Sequence, residues 1–166
     1  MANAFTDAAM SNRVWIAAAG NFTLMKPGTI NVSNLGYAFA SGPGVIWPTS
    51  GSTYSAGGGH GGQGGHANAL GGITNDNLVE PMIPGAAGSN RDYGTNGGGA
   101  VLLDVGDTAF IGGVIDASGG DGAGYYRGGG AGGAILIRCS LFNGNSNGLL
   151  QANGGKAGGD RLDGAG

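Results

Sequence analysis

Charge is the scarcest ordinary ingredient of this 166-residue chain. Only 10% of its residues are Asp, Glu, Lys or Arg, less than half the usual share of about 25%. Ten acids against seven bases leave a net charge of −3. That excludes the basic footprint of a nucleic-acid binder and the high-charge form of disorder. A single cysteine, Cys139, excludes an internal disulfide framework. It sits in the apolar run Ala134–Cys139 and reads as a small buried hydrophobe rather than a reactive thiol. No apolar run approaches the ~18 residues of a membrane-crossing helix. Residues 1–7 carry neither the basic nor the apolar segment of a secretory signal. The chain therefore reads as mature, or as exported within an assembly or a larger protein. Proline is also scarce, at 5 positions, and glycine does not recur strictly at every third residue, so collagen is excluded.

Glycine, by contrast, takes 41 positions, and hydrophobic residues make up 40%, so a core can be buried between unusual backbone tracts. Three short apolar runs resemble one another: Arg13–Ala18, Ala100–Val105 and Ala134–Cys139. Each is followed by a second run, at residues 28–34, 113–119 and 148–154. These second runs align without gaps as Gly, two apolar residues (the first of them Thr29 in the first run), a polar residue, a small or apolar residue, Ser or Asn, then Gly or Asn. The unit is thus strand, turn, strand and Gly-rich tract, repeated three times. A long insertion, about 37–99, divides the first unit from the second.

Alternation with period two marks the runs as half-buried strands. Val14 and Ile16 share a face, as do Val101 and Leu103, and Ile135 and Ile137. Helix is disfavoured, since each interior Gly costs ~1 kcal/mol. One unit cannot bury its apolar face alone, so equivalent strands are expected to stack in parallel. Asp104 and Arg138 then become neighbours ~4.8 Å apart in the backbone, and a structural pair is expected. The expected fold is an all-β, Gly-rich parallel β-helix or β-solenoid. Residues 1–12 form an N-terminal arm and 13–166 a single domain carrying the insertion. The Gly tracts, at 57–66, 94–99, 119–133 and 154–166, admit two readings: flexible linkers or ordered polyglycine II-like segments at ~3.1 Å per residue. Their recurrence at one place in each unit and their near lack of Ser favour order. Ordering Gly is entropically costly, so dense cross-bonding is needed.

The combination of Gly97–Leu103, Gly113–Gly120, Gly128–Ile137 and Leu150–Gly155 resembles the Gly-rich repeat regions of large bacterial and archaeal cell-surface proteins. That resemblance, covering about residues 14–166, implies parallel β-helix coils alternating with Gly-rich loops, and an extracellular or cell-surface location. A weaker resemblance, confined to the tracts and their interspersed aromatics, is to the polyglycine-rich receptor-binding tips of phage tail fibres.

Residues with chemical potential are few. His60 and His66 lie six apart in a Gly tract, ~19 Å if the tract is polyglycine II, too far to share an ion; no metal site is expected. Asp116, Asp121, Asp160 and Asp163 offer oxygens, but the tandem Ca²⁺ nonapeptide is not matched, and they read as turn aspartates. No Gly cluster follows a strand and opens a helix, so no nucleotide or other cofactor is expected. The one glutamate, Glu80, stands in a Pro-flanked loop, and Asp104 with Asp116 is the only carboxylate pair on the strands of one unit. No catalytic residues are assigned, and an enzyme is not expected. Tyr125, Tyr126 and Arg127 in mid-tract, with Tyr93 and Trp47 in loops, are the candidates for binding or subunit contact.

Neither end of the chain reads as a cap, and uncapped strand edges template further pairing. The leading expectation is a structural extracellular protein: a self-assembling filament or surface-layer subunit whose partner is itself. The alternative is an adhesin or phage receptor-binding module contacting surface glycans. A β-helical polysaccharide-active enzyme comes third.

Overall fold

A computed structural model of the chain describes residues 13–38, 41–46, 55–66, 70–89, 94–124 and 127–159. The three apolar runs become β1 (Arg13–Ala18), β3 (Ala100–Val105) and β5 (Ala134–Arg138). They pair in parallel in the order β1-β3-β5, with Arg13 opposite Ala100 and Ala100 opposite Ala134. The second runs fall in longer strands: β2 (Phe22–Asn31), β4 (Thr108–Asp116), and the broken pair β6 (Leu141–Gly144) and β7 (Leu149–Gln151). β4 is central, with β2 on one side and β6 then β7 on the other, all parallel. The β2–β4 register shifts between Met25 and Thr29, where Pro27 has no N–H to give the ladder.

The expected β-helix or β-solenoid with polyglycine II-like segments is corrected. The strands form two open parallel sheets, and neither sheet closes or curls. No helix occurs among the described residues. The reason lies in the segment after each strand pair. A third strand would close a coil, but after β4 and β7 the chain runs into Gly119-Gly120 and Gly154-Gly155, with few side chains to line a third wall, and after β2 it leads into the insertion.

The two sheets bury one core. Val101, Leu103 and Val105 of β3 meet Ala109, Ile111 and Ile115 of β4, with Val14, Ile16, Leu24, Ile30, Ile135 and Ile137 partly buried around them. Cys139 packs against this cluster as a free thiol. β3 is covered on its other face too. Ala100, Leu102 and Ala134 form a second cluster against Leu136 of β5 and Met82 of the insertion. The insertion thus lies on the outer face of the first sheet, and a central strand buried on both sides loses polar alternation.

The glycine tracts form a layer held by backbone hydrogen bonds. Gly85 N–H donates to Gly98 O, Gly98 N–H to Ala131 O, and Ala131 N–H to Ala86 O, at 2.8, 2.8 and 2.9 Å. A second series runs from Gly155 to Gly130, from Gly130 to Gly120, and from Gly120 to Asn96 O, at 2.8, 3.0 and 2.9 Å. The insertion's own tract joins through Gly58 N–H to Gly129 O and Gly72 N–H to Gly57 O. Chains approach this closely because nothing projects from the Cα. A Cβ on Gly98 would overlap Ala117 O and stand 2.6 Å from Ala117 C and 2.7 Å from Gly133 N.

Candidate functional site

Three constellations carry the molecule's polar and exposed apolar chemistry. The first lies on the outer face of the first sheet. Asp104 and Arg138 are register partners on β3 and β5, and the structure brings them together: Arg138 Nη1 donates to Asp104 Oδ1 at 3.1 Å. Asp104 Oδ2 accepts the Trp15 indole N–H at 2.7 Å. Arg138 also reaches Glu80 of the insertion, Nη2 to Oε1 at 3.3 Å. The hydrogen bond from Arg138, then that from Trp15, holds the Asp104 carboxyl below its ordinary value despite opposing desolvation. Trp15 leaves 66% of its surface in solvent, an apolar ring beside a carboxylate and a guanidinium.

A related column runs across the second sheet. Asn31, Asp116 and Gln151 stand in register on β2, β4 and β7. Asp116 Oδ1 accepts Ser118 N–H at 2.9 Å and Oδ2 accepts Gln151 Nε2 at 2.8 Å. Asn31 makes the same turn with Ser33 N–H at 2.8 Å. Desolvation raises the Asp116 pKa, but the hydrogen bonds from Ser118 and Gln151 together outweigh it and the net shift is downward. Folded values below unfolded ones mean that Asp104 and Asp116 stabilise the fold above the ordinary carboxylate range. That contribution is lost as pH falls from about 4 through the folded pKa. In melting curves from pH 6 to pH 2, Asp116→Asn is expected to show a smaller loss of Tm than the wild type. Equal losses would remove Asp116 from the acid response.

The second constellation is a buried pair. His60 and Asp76, 6% and 9% exposed at their side chains, meet at 3.1 Å between Nε2 and Oδ2. The same Oδ2 accepts the N–H groups of Met82 and Ile83 at 2.8 and 3.0 Å, and Oδ1 accepts Asn77 N–H at 2.8 Å. Asp76 holds a left-handed backbone, φ 71°, which Asp and Asn tolerate best after Gly. Asn75 donates its amide to Gly59 O and Ile73 O. Asp76 therefore ties the loop before Met82 to the glycine tract of His60. Clefts of about 210 and 280 Å³ flank His60, walled mostly by glycine backbone on the larger side. Sequence reasoning missed this pair, since His60 and Asp76 lie 16 residues apart outside any periodic segment. The only local signal was the Asn75-Asp76-Asn77 run, which reads as turn chemistry.

The third constellation is an exposed apolar edge. Phe142 is in register with Ala109 and Leu150 with Ile115, so both face the core side of β4. Yet they are 53% and 41% exposed, because no strand lies beyond β6 and β7 among the described residues. With Ile111, Gly144, Asn145 and Gly148 they line a cleft of about 280 Å³.

Other candidates fall elsewhere. Arg127 makes an antiparallel bridge to Gly158, accepting its N–H at 3.0 Å. Tyr125, Tyr126, Tyr93 and Trp47 lie outside the described residues, as do Asp160, Asp163 and the 1–12 arm. His66 Nδ1 accepts the Gly71 N–H at 3.5 Å, a different partner from the Asp76 that His60 meets. Asp121 accepts Lys156 N–H at 2.7 Å. Asp104 and Asp116 belong to different sheets. Among the described residues no three His, Cys, Asp or Glu side chains gather as a metal site, and no helix is long and apolar enough to cross a membrane. Comparisons with protein-family models, with curated proteins and with solved structures find no match for this chain.

Proposed function

We propose that the protein is a structural, non-catalytic component that assembles with copies of itself through its open sheet edges, as a filament or surface-layer subunit outside the cell. The observation that supports this reading is the apolar edge. Phe142 and Leu150 continue the core pattern to an edge beyond which no strand pairs among the described residues. Unpaired parallel edges offer N–H and C=O groups to another chain, and two different edges meeting head to tail propagate without closing. The likeness to Gly-rich repeats of cell-surface proteins is what suggests the extracellular location.

Electron microscopy across a concentration series tests it: long regular particles are expected. Phe142→Glu is expected to raise the concentration needed for assembly about tenfold or more, given ~1.5–3 kcal/mol for burying a Phe side chain. A half-exposed edge residue leaves the monomer fold intact, so the melting curve of dilute variant should match the wild type. Discrete particles at every concentration would overturn self-assembly. The exposed Trp15 beside Asp104 and Arg138 supports the second reading, an adhesin that stacks a glycan on the indole. Discrete particles that bind a saccharide panel, and lose it with Trp15→Ala, would favour that reading.

A further inference from the structure

The in-chain pairing of the repeats specifies more than a tendency to associate. Three strands of the first sheet are joined twice by the same register: Val14 to Val101 to Ile135, and Ile16 to Leu103 to Ile137. The second sheet repeats the device: Phe22 to Ala109 to Phe142, and Ile30 to Ile115 to Leu150. The β5, β6 and β7 edge therefore has the same face pattern and direction as the edge that β3 and β4 present to β5, β6 and β7 within the chain.

We propose that this edge accepts β1 and β2 of a second copy of the chain, continuing both sheets in the same parallel register. This rests on the self-assembly reading above and names its partner surfaces. Val14 and Ile16 of the incoming copy stack on Ile135 and Ile137. Phe22 covers Phe142, and Ile30 covers Leu150. On the outer face Trp15 lies over Leu136. Within the chain its indole reaches diagonally to Asp104, two residues beyond its register partner Leu102. Across the junction the residue at that diagonal is Arg138, whose guanidinium meets the electron-rich ring face as a cation–π contact. Apolar columns, strand direction and the outer-face pair all complement one another. No other occupant has an edge already matched by the chain's own repeats.

The register can be read covalently. Ala18 pairs with Val105, and one step beyond the Asp104–Arg138 pair places Cys139 opposite Val105. In the proposed junction Cys139 faces Ala18 of the next copy at ~4.8 Å between Cα atoms, within the range of a disulfide. Ala18 and Cys139 of one chain are separated by β3 and cannot join. Ala18→Cys, oxidised under assembling conditions with copper phenanthroline, is expected to pass from monomer into a ladder of dimer, trimer and higher species on a non-reducing gel. Wild type, with one thiol, can reach only dimer. Ala17→Cys, on the opposite face, should stay off the ladder, as should Ala18→Cys combined with Cys139→Ser. Regular particles by electron microscopy without the Ala18→Cys ladder would overturn this register while self-assembly stands. No particles in wild type or variant would overturn both.

Discussion

Gly98→Ala is expected to destabilise the fold by about 3 kcal/mol, as forced overpacking does, lowering Tm by roughly 6–12 °C for a chain of this size. One added methyl group is normally mild, and in an exposed strand it is nearly free. At Gly98 the Cβ would overlap Ala117 O and press on Gly133 N. Those atoms are backbone, so no rotamer change relieves the clash. Moving them breaks Gly133 N–H to Ala117 O, and Gly98 itself donates to Ala131 O and accepts from Gly85 N–H. Gly61→Ala is the control. Its Cβ would meet nothing within 4 Å, and alanine there removes unfolded-state freedom, so Tm should hold or rise slightly. Thermal unfolding of both variants decides the matter: equal melting curves would show that the glycine layer is loosely packed.

Asp76→Ala is the second large effect. Truncation leaves Met82 N–H, Ile83 N–H and His60 Nε2 without their acceptor. An orphaned buried polar group costs about 1–3 kcal/mol, and the left-handed φ adds strain for alanine. A loss of about 3 kcal/mol is expected, with the loop before Met82 released first. Met82 packs against the Ala100, Leu102 and Ala134 cluster, so its release uncovers the outer face of β3. Amide hydrogen exchange should show Met82 and Ile83 amides exchanging far faster than in the wild type. Asp76→Asn keeps an acceptor and the left-handed preference, and should recover much of the loss. If Asp76→Ala melts like the wild type with unchanged exchange, Asp76 does not hold the insertion in place.

The strands were legible because each apolar run alternates and recurs. The runs at Arg13, Ala100 and Ala134 coincide with β1, β3 and β5. The offset between units is enough to set Asp104 opposite Arg138. What alternation does not encode is how a sheet ends or curls. Glycine carries no face, so whether its tracts complete a coil or form a separate layer leaves no periodic trace. The insertion was opaque for the same reason. Met82, Glu80 and Asp76 reach the first sheet or His60 from a segment rich in turns. Their partners are fixed by tertiary placement, not by spacing. Alternation with Val14 and Ile16 puts Trp15 on the outward face and no more, since its diagonal reach to Asp104 depends on side-chain direction across neighbouring strands.

The glycine layer has a consequence at the level of the gene. Every glycine codon tolerates any change at its third base and none, without an amino-acid change, at the first two. Each residue so introduced carries at least a Cβ. In the apolar core a Leu103 or Ile115 codon can drift among aliphatic neighbours of similar volume. At Gly98, Gly130 or Gly133, where a Cβ would run into backbone, no such neighbour exists. The layer divides mutations into silent and damaging with almost nothing between. It can then diversify only where glycine faces open space, as at Gly61 and Gly62.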